Sequence, residues 1–148
     1  MGAGAGVGLA ALAALLLAGC ASTPLKPMAV GTSPSCTDVV FPIYFAEGSD
    51  QLTATADQVI GSEAAQVHGC RIGYVSVLGL TDAAGGVAHN LDLSRRRAAT
   101  VAKALASAGL PTPKFEVNGA GETGALTDKG RPVPLRRKTE VVIHALPT

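Results

Sequence analysis

The sequence predicts a two-layer α/β (α+β) sandwich, a small mixed sheet carrying its helices on one face in the order β-α-β-α-β-β. Three observations lead to it. Short runs rich in β-branched residues alternate with longer stretches of helical periodicity. Residues 71–109 read as strand, polar loop and helix in immediate succession. The chain has 148 residues, and an apolar leader followed by a proline-rich stretch leaves room for one domain of ~110 residues, which bounds the element count.

At the N-terminus, residues 7–18 are an apolar run of small and aliphatic side chains. It is too short to span a bilayer and reads as the apolar core of a signal peptide, residues 1–19. It ends in Leu17-Ala18-Gly19-Cys20, which resembles the bacterial lipobox. The resemblance implies cleavage before Cys20 and acylation of that cysteine with more than one chain, enough for stable anchoring. Ala21 stands where an Asp would retain a Gram-negative lipoprotein at the inner membrane, so the resemblance implies the outer membrane. Residues 20–37 carry Pro24, Pro27 and Pro34 among Ser, Thr and Gly, and read as a tether. Fully extended, at ~3.1 Å per residue, it reaches roughly 50 Å.

The domain is expected over residues 38–148. Its first strand is predicted at 39–45 and its first helix at 52–68, where Leu52, Ala56, Val59, Ile60, Ala64 and Val67 recur at helical spacing before Gly69. Cys36 precedes the first strand and Cys70 the second, at 71–78. If those strands run parallel, both cysteines lie at one edge, and an exported protein permits a disulfide there; two separate thiols are the alternative. The second helix is predicted to open at Asn90 as N-cap, with Asp92 in its first turn, and to close at Gly109 before Leu110-Pro111. Short strands at 114–118 and 139–145 complete the order.

Composition narrows the function. Net charge is +1, aromatics are 3% and Trp is absent. A nucleic-acid partner is not indicated, and stacking platforms for bases or sugars are scarce.

One residue breaks the local pattern. Leu93, Val101, Leu105 and Ala108 form the apolar face of the second helix, and Arg97, midway between Leu93 and Val101, shares it. Arg95 and Arg96 point elsewhere and can be solvated. A guanidinium turned toward the core needs an anion or a route to water. Asp82 lies in the loop beyond the preceding strand, at the end where α/β sheets place ligand sites. The two either bridge each other or serve a ligand.

Gly79-Leu80-Thr81-Asp82 followed by Asn90, Leu93, Ser94, Arg97 and Ala98 resembles the OmpA-like peptidoglycan-binding domain, whose strand ends G-H-T-D and whose helix carries N-x-x-L-S-x-x-R-A. The likeness spans roughly residues 39–143. It implies a non-enzymatic outer-membrane protein, similar to the peptidoglycan-associated lipoproteins, that holds the wall's stem peptide non-covalently and needs no cofactor or metal. Asp82 would take the side-chain ammonium of diaminopimelate and Arg97 its carboxylate, leaving the fold independent of either. Thr81 and Asn90 are counted with the site, Asn90 alongside its capping role. The family's G-R-x-x-N-R-R is matched in part by Gly130-Arg131 and by Arg136, Arg137 and Lys138. Counting back from Glu140, Arg137 takes the place of the first arginine after the Asn; a solvated basic face is the alternative. Leu80 replaces the usual His and is expected to alter the rim. Ala46 replaces an Asp after Phe45. A subunit of an envelope complex, with wall binding secondary, is the other function the resemblance implies.

Two enzyme-like patterns fail on sequence grounds. Gly119, Gly121 and Gly124 fit G-x-G-x-x-G, but Pro132 and Pro134 follow where a dinucleotide fold needs a helix. Asp82, His89 and Ser94 lack any nucleophile elbow, and His68, His89 and His144 show no metal spacing with the cysteines.

Overall fold

The computed structural model describes residues 1–2, 36–133 and 135–148. The chain divides into two units, residues 1–31 and 32–148, and every element below lies in the second. Cys20, most of the leader and most of the tether fall outside the described residues. Strand β1 is Val39–Tyr44, helix α1 Ala54–Gln66, β2 Arg71–Gly79, α2 Val87–Ser107, β3 Phe115–Gly119 and β4 Lys138–Leu146, with a 3-10 turn at Thr112–Lys114. The sheet order is β1-β4-β2-β3. β4 runs antiparallel to both β1 and β2, and β3 runs parallel to β2. β1 and β2 therefore share a direction, with β4 inserted between them.

The sheet buries one face. On β4, exposure alternates residue by residue, with Val141, Ile143 and Ala145 turned inward. Phe41 and Ile43 of β1, with Val75 and Val77 of β2, join them against Ile60 and Ala64 of α1 and Ala98, Val101 and Leu105 of α2. Val40, Tyr44 and Tyr74 remain exposed. A small aromatic inventory is sufficient because a two-layer domain of this size fills its core with branched aliphatics and alanine.

Helix boundaries depart from the sequence expectation. α1 begins two residues late because Thr53 caps it, its Oγ1 accepting the Ala56 N–H at 3.1 Å. α2 begins early: Gly86 is its N-cap, and the Asn90 N–H already donates to the Gly86 carbonyl at 2.9 Å. Asn90 is therefore not the cap. Its side chain faces back across the preceding loop instead of onto its own helix. Asp92 lies beyond the first turn, where its carboxylate pairs with Arg96 one turn on.

α2 lies unusually close to the sheet. A Cβ on Gly79 would run into the Ser94 carbonyl, and one on Gly119 would come within 2.5 Å of Ser94 Oγ. The Ser94 hydroxyl, fully buried, donates to the Leu91 carbonyl at 2.8 Å and accepts the Gly121 N–H at 2.9 Å. Gly119 and Gly121 thus lie directly against α2. At the other end of the sheet, Cys36 and Cys70 are joined by a disulfide, their Cα atoms 5.6 Å apart.

The glycine environments and the disulfide make three stability predictions. Gly79→Ala, which forces α2 off the sheet, destabilises the domain by about 1–3 kcal/mol. Gly61→Ala, where nothing lies within 4 Å of the new Cβ, stabilises it by about 0.5–1 kcal/mol. Urea unfolding of both variants reads the opposite signs. The disulfide spans a sequence separation of 34. Replacing both cysteines by serine costs about 3–4 kcal/mol by loop-closure entropy, seen as a lower urea midpoint with a steeper slope, because the unlinked chain unfolds to a more expanded state.

Candidate functional site

The Arg97 side chain is fully buried, the largest such side chain among the described residues. Its helix position turns it to the apolar side, and three main-chain carbonyls receive it. Nε donates to Ser49 at 2.8 Å, Nη2 to Ala46 at 3.0 Å and Nη1 to Leu80 at 3.2 Å. The guanidinium also lies over the Phe45 ring, 5.0 Å from its centroid, a favourable cation–π distance. Burial pulls its pKa below the ordinary arginine value, and the nearby charge of Asp82 opposes that shift. A guanidinium stays cationic in either case. Among the described residues no carboxylate forms an ion pair with it; its direct partners are three carbonyl dipoles and the Phe45 ring.

Beside it opens a cavity of about 220 Å³ whose wall includes Thr81, Asp82, Asn90, Arg97 and Arg137. The structure thus brings together all five site residues read from the sequence. Asp82 and Arg97 do not bridge each other. Asp82 Oδ2 accepts from Arg137 Nη1 at 3.3 Å, and Oδ1 accepts the Ala84 N–H at 3.3 Å. Asn90 Nδ2 donates to Glu122 Oε2 at 2.5 Å and to the Asp82 carbonyl at 3.4 Å, locking the acid's loop to α2. Thr81 donates its N–H to Gly121 at 2.9 Å. Its Oγ1 is buried without a hydrogen-bond partner among the described residues, a cost that a ligand atom would remove.

The rest of the basic cluster goes elsewhere. Lys138 pairs with Glu140 at 2.9 Å, Arg136 donates to the Thr123 carbonyl, and Arg131 is exposed. Arg137 reaches the site because its own carbonyl accepts the Phe45 N–H at 2.9 Å, continuing the pairing of β1 with β4. Arg96 is not simply solvated: it pairs with Asp92 and, at 3.0 Å, with Asp50. Leu80 does not form the rim. Its side chain is buried, and only its carbonyl serves the arginine.

Sequence reasoning missed two titratable wall residues. Glu47 lines the cavity and sits 4.0 Å from Arg137. The signal was an acid displaced by one position from where Ala46 interrupts the expected Phe-Asp pair. His89 also lines the cavity; it entered the sequence reading only as a triad candidate and as a histidine without metal spacing, and Ser94 is instead committed to helix packing. The described residues contain no group of three or more His, Cys, Asp or Glu arranged for a metal, and no helix among them is long and apolar enough to cross a membrane.

Comparison with known proteins agrees with this architecture. Residues 44–138 match the OmpA family. The sodium-type flagellar protein MotY of Vibrio parahaemolyticus is 32% identical over 111 residues, covering 74% of this chain and 38% of that protein. Outer membrane protein A of Serratia marcescens is 46% identical over 55 residues, covering 37% of this chain and 15% of that one. The chain spans well under half the length of these relatives. Among solved structures, the OmpA-like domain of FopA1 from Francisella tularensis superposes with a TM-score of 0.61 at 23% identity, over 74% of this chain and 76% of that one. The peptidoglycan-associated lipoprotein from Burkholderia pseudomallei superposes with a TM-score of 0.58 at 19% identity, over 80% of this chain and 99% of that one. At those identities the structural likeness speaks to fold, and the family match supplies the kinship. With its mixed four-stranded sheet, its two helices on one face and a family match over residues 44–138, this chain belongs to the OmpA family.

Proposed function

We propose that the domain binds peptidoglycan non-covalently, gripping the zwitterionic end of diaminopimelate in the stem peptide. Asp82 accepts the ammonium. The N–H groups of Arg97 not engaged by carbonyls, with Arg137, hold the carboxylate, and Thr81 and Asn90 complete the wall. One observation carries this reading: a fully buried, permanently charged guanidinium lines the same small cavity as a carboxylate, and the two are not paired with each other. A zwitterion supplies both counter-charges at once, and a forked donor matches a carboxylate better than an ammonium does.

The same reading makes the chain an outer-membrane lipoprotein. Residues 1–19 are its signal peptide, Cys20 carries the acyl chains, and residues 20–37 tether a periplasm-facing domain to the membrane. It thereby links outer membrane to cell wall without catalysing a reaction. The likeness to MotY, a flagellar protein, favours a second reading, in which the domain is an accessory subunit of an envelope complex and wall binding is secondary. Recovery of a stoichiometric protein partner from solubilised envelopes, by a chain that fails to sediment with purified sacculi, would select the second.

Co-sedimentation of the chain with diaminopimelate-containing sacculi tests the site. Asp82→Asn and Arg97→Lys each weaken binding thirtyfold or more, on the order of 2–5 kcal/mol. Arg95→Ala, on an exposed side chain, changes it little. Equal losses at Arg95 and Arg97 would point to a diffuse basic patch instead. Contrary to the sequence expectation, Arg97→Ala also unsettles the fold, by about 3 kcal/mol or more, because it strands three carbonyls and opens a void; thermal unfolding reads that separately from binding.

Cys20→Ser tests the anchor. The substituted protein partitions to the soluble periplasmic fraction or accumulates as uncleaved precursor. Processed Cys20→Ser protein that still fractionates with membranes sinks the lipoprotein assignment.

A further inference from the structure

A second cavity, of about 400 Å³, adjoins the first, and Asp82 and Arg137 line both. Its remaining wall is apolar, with Tyr44, Val133 and Leu135 prominent, except for Arg136. The charge inventory is lopsided. Arg136 and Arg137 contribute two guanidiniums, and Asp82 is the sole acid in the wall, already paired with Arg137 at 3.3 Å. Arg136 is fixed by a hydrogen bond from Nη2 to the Thr123 carbonyl, yet its Nε is buried with no partner among the described residues. It is a positioned cation without a counter-ion in the cavity.

The rim adds an independent observation. Leu135 is the one non-glycine residue among the described ones with a positive φ, at 55°. A leucine in that region is strained, and such strain clusters at ligand-binding loops. The strain holds a large apolar side chain in solvent, 69% exposed, beside an exposed Tyr44. Neither feature benefits the free domain. Both suit a ligand that brings a small alkyl group under the rim and one negative charge to Arg136. A phosphate or a sugar would leave the apolar rim unused.

We infer that this second cavity seats the residue following the zwitterion in a bound peptide, receiving its small apolar side chain and its free terminal carboxylate. The inference rests on the proposed diaminopimelate site, since the shared Asp82–Arg137 wall is what places the two cavities in series. In a peptidoglycan stem, a terminal D-alanine after diaminopimelate has that chemistry. The domain then distinguishes stem peptides by their carboxyl-terminal end as well as by their diaminopimelate.

Calorimetric titration of the full chain in detergent tests this with three probes: free meso-diaminopimelate, the stem tetrapeptide ending in D-alanine, and the same tetrapeptide as its terminal carboxamide. The acid is expected to bind about tenfold more tightly than the amide, the loss of one charge-assisted contact. In Arg136→Gln the acid-to-amide ratio falls to near one. Val133→Glu, which sets an anion in the apolar wall, also abolishes the preference, and it decides the matter if Arg136→Gln does not fold. Equal binding of acid and amide by the native chain, or a ratio that survives in the folded variants, overturns the second cavity's role. If free diaminopimelate still binds in that case, and Asp82→Asn weakens it, the first site stands alone. If none of the three probes binds, the diaminopimelate reading fails and the inference falls with it.

Discussion

The structure depends on a buried cation that is given no anion. Moving an ion out of water is among the costliest steps in folding, and a paired carboxylate is the usual remedy. Here the remedy is a set of carbonyl oxygens at Ala46, Ser49 and Leu80. To supply them, the chain after β1 must curl back over α2, β2 must end beside that helix, and Phe45 must lie under the guanidinium. Gly79 is part of the same requirement, because only a missing side chain lets α2 approach near enough for the arginine to reach all three. Charge-assisted bonds to neutral acceptors stabilise a cation without cancelling its field. The domain therefore retains, at a fixed and water-poor point, a positive potential to which an anion can bind.

Asp82 meets the converse problem in a different way. It is half-buried and leans on Arg137, itself half exposed. Arg137 keeps the carboxylate matched in the unliganded domain, and under the proposed reading it turns from Asp82 to the ligand's carboxylate while the ligand's ammonium takes its place at Asp82. The contrast between a buried arginine and a half-exposed one divides the work: Arg97 sets geometry, and Arg137 neutralises Asp82 at the cavity mouth. Glu47, 4.0 Å from Arg137 and largely solvated, is a second anion beside that guanidinium.

Much of this was legible in the sequence, for identifiable reasons. The order of elements followed from periodicity, and Arg97 stood out because a permanent charge at helical spacing between Leu93 and Val101 has no place on an apolar face. The loop from Gly79 to Asp82 gave the acid. What the sequence concealed was decided by contacts between distant segments. Asn90 satisfies every local criterion for an N-cap, but its partner Glu122 lies 32 positions away, and that tertiary bond prevails over local capping. The destination of Arg97, three carbonyls rather than a side chain, carries no sequence signature, since any residue supplies a carbonyl. The glycines after β3 resembled a cofactor loop because close backbone approach is the physical need in both cases; here the approaching group is Ser94.

The disulfide has a mechanical consequence. Cys36 and Cys70 precede β1 and β2, which run in the same direction, while Phe45, Ala46 and Asp82 lie beyond their far ends. β1 is an edge strand held on one side only, by β4. A force applied to the chain before Cys36 and resisted at the cavity would otherwise load that strand alone, shearing its ladder against β4. The covalent link forwards part of the load directly to β2, which is paired on both flanks. Tension then runs lengthwise through two co-directional strands, where hydrogen bonds share it in parallel instead of failing one after another. The bond that closes an entropic loop in the unfolded chain thus acts in the folded one as a load splitter, and reduction would lower the rupture force even under conditions where the domain remains fully native.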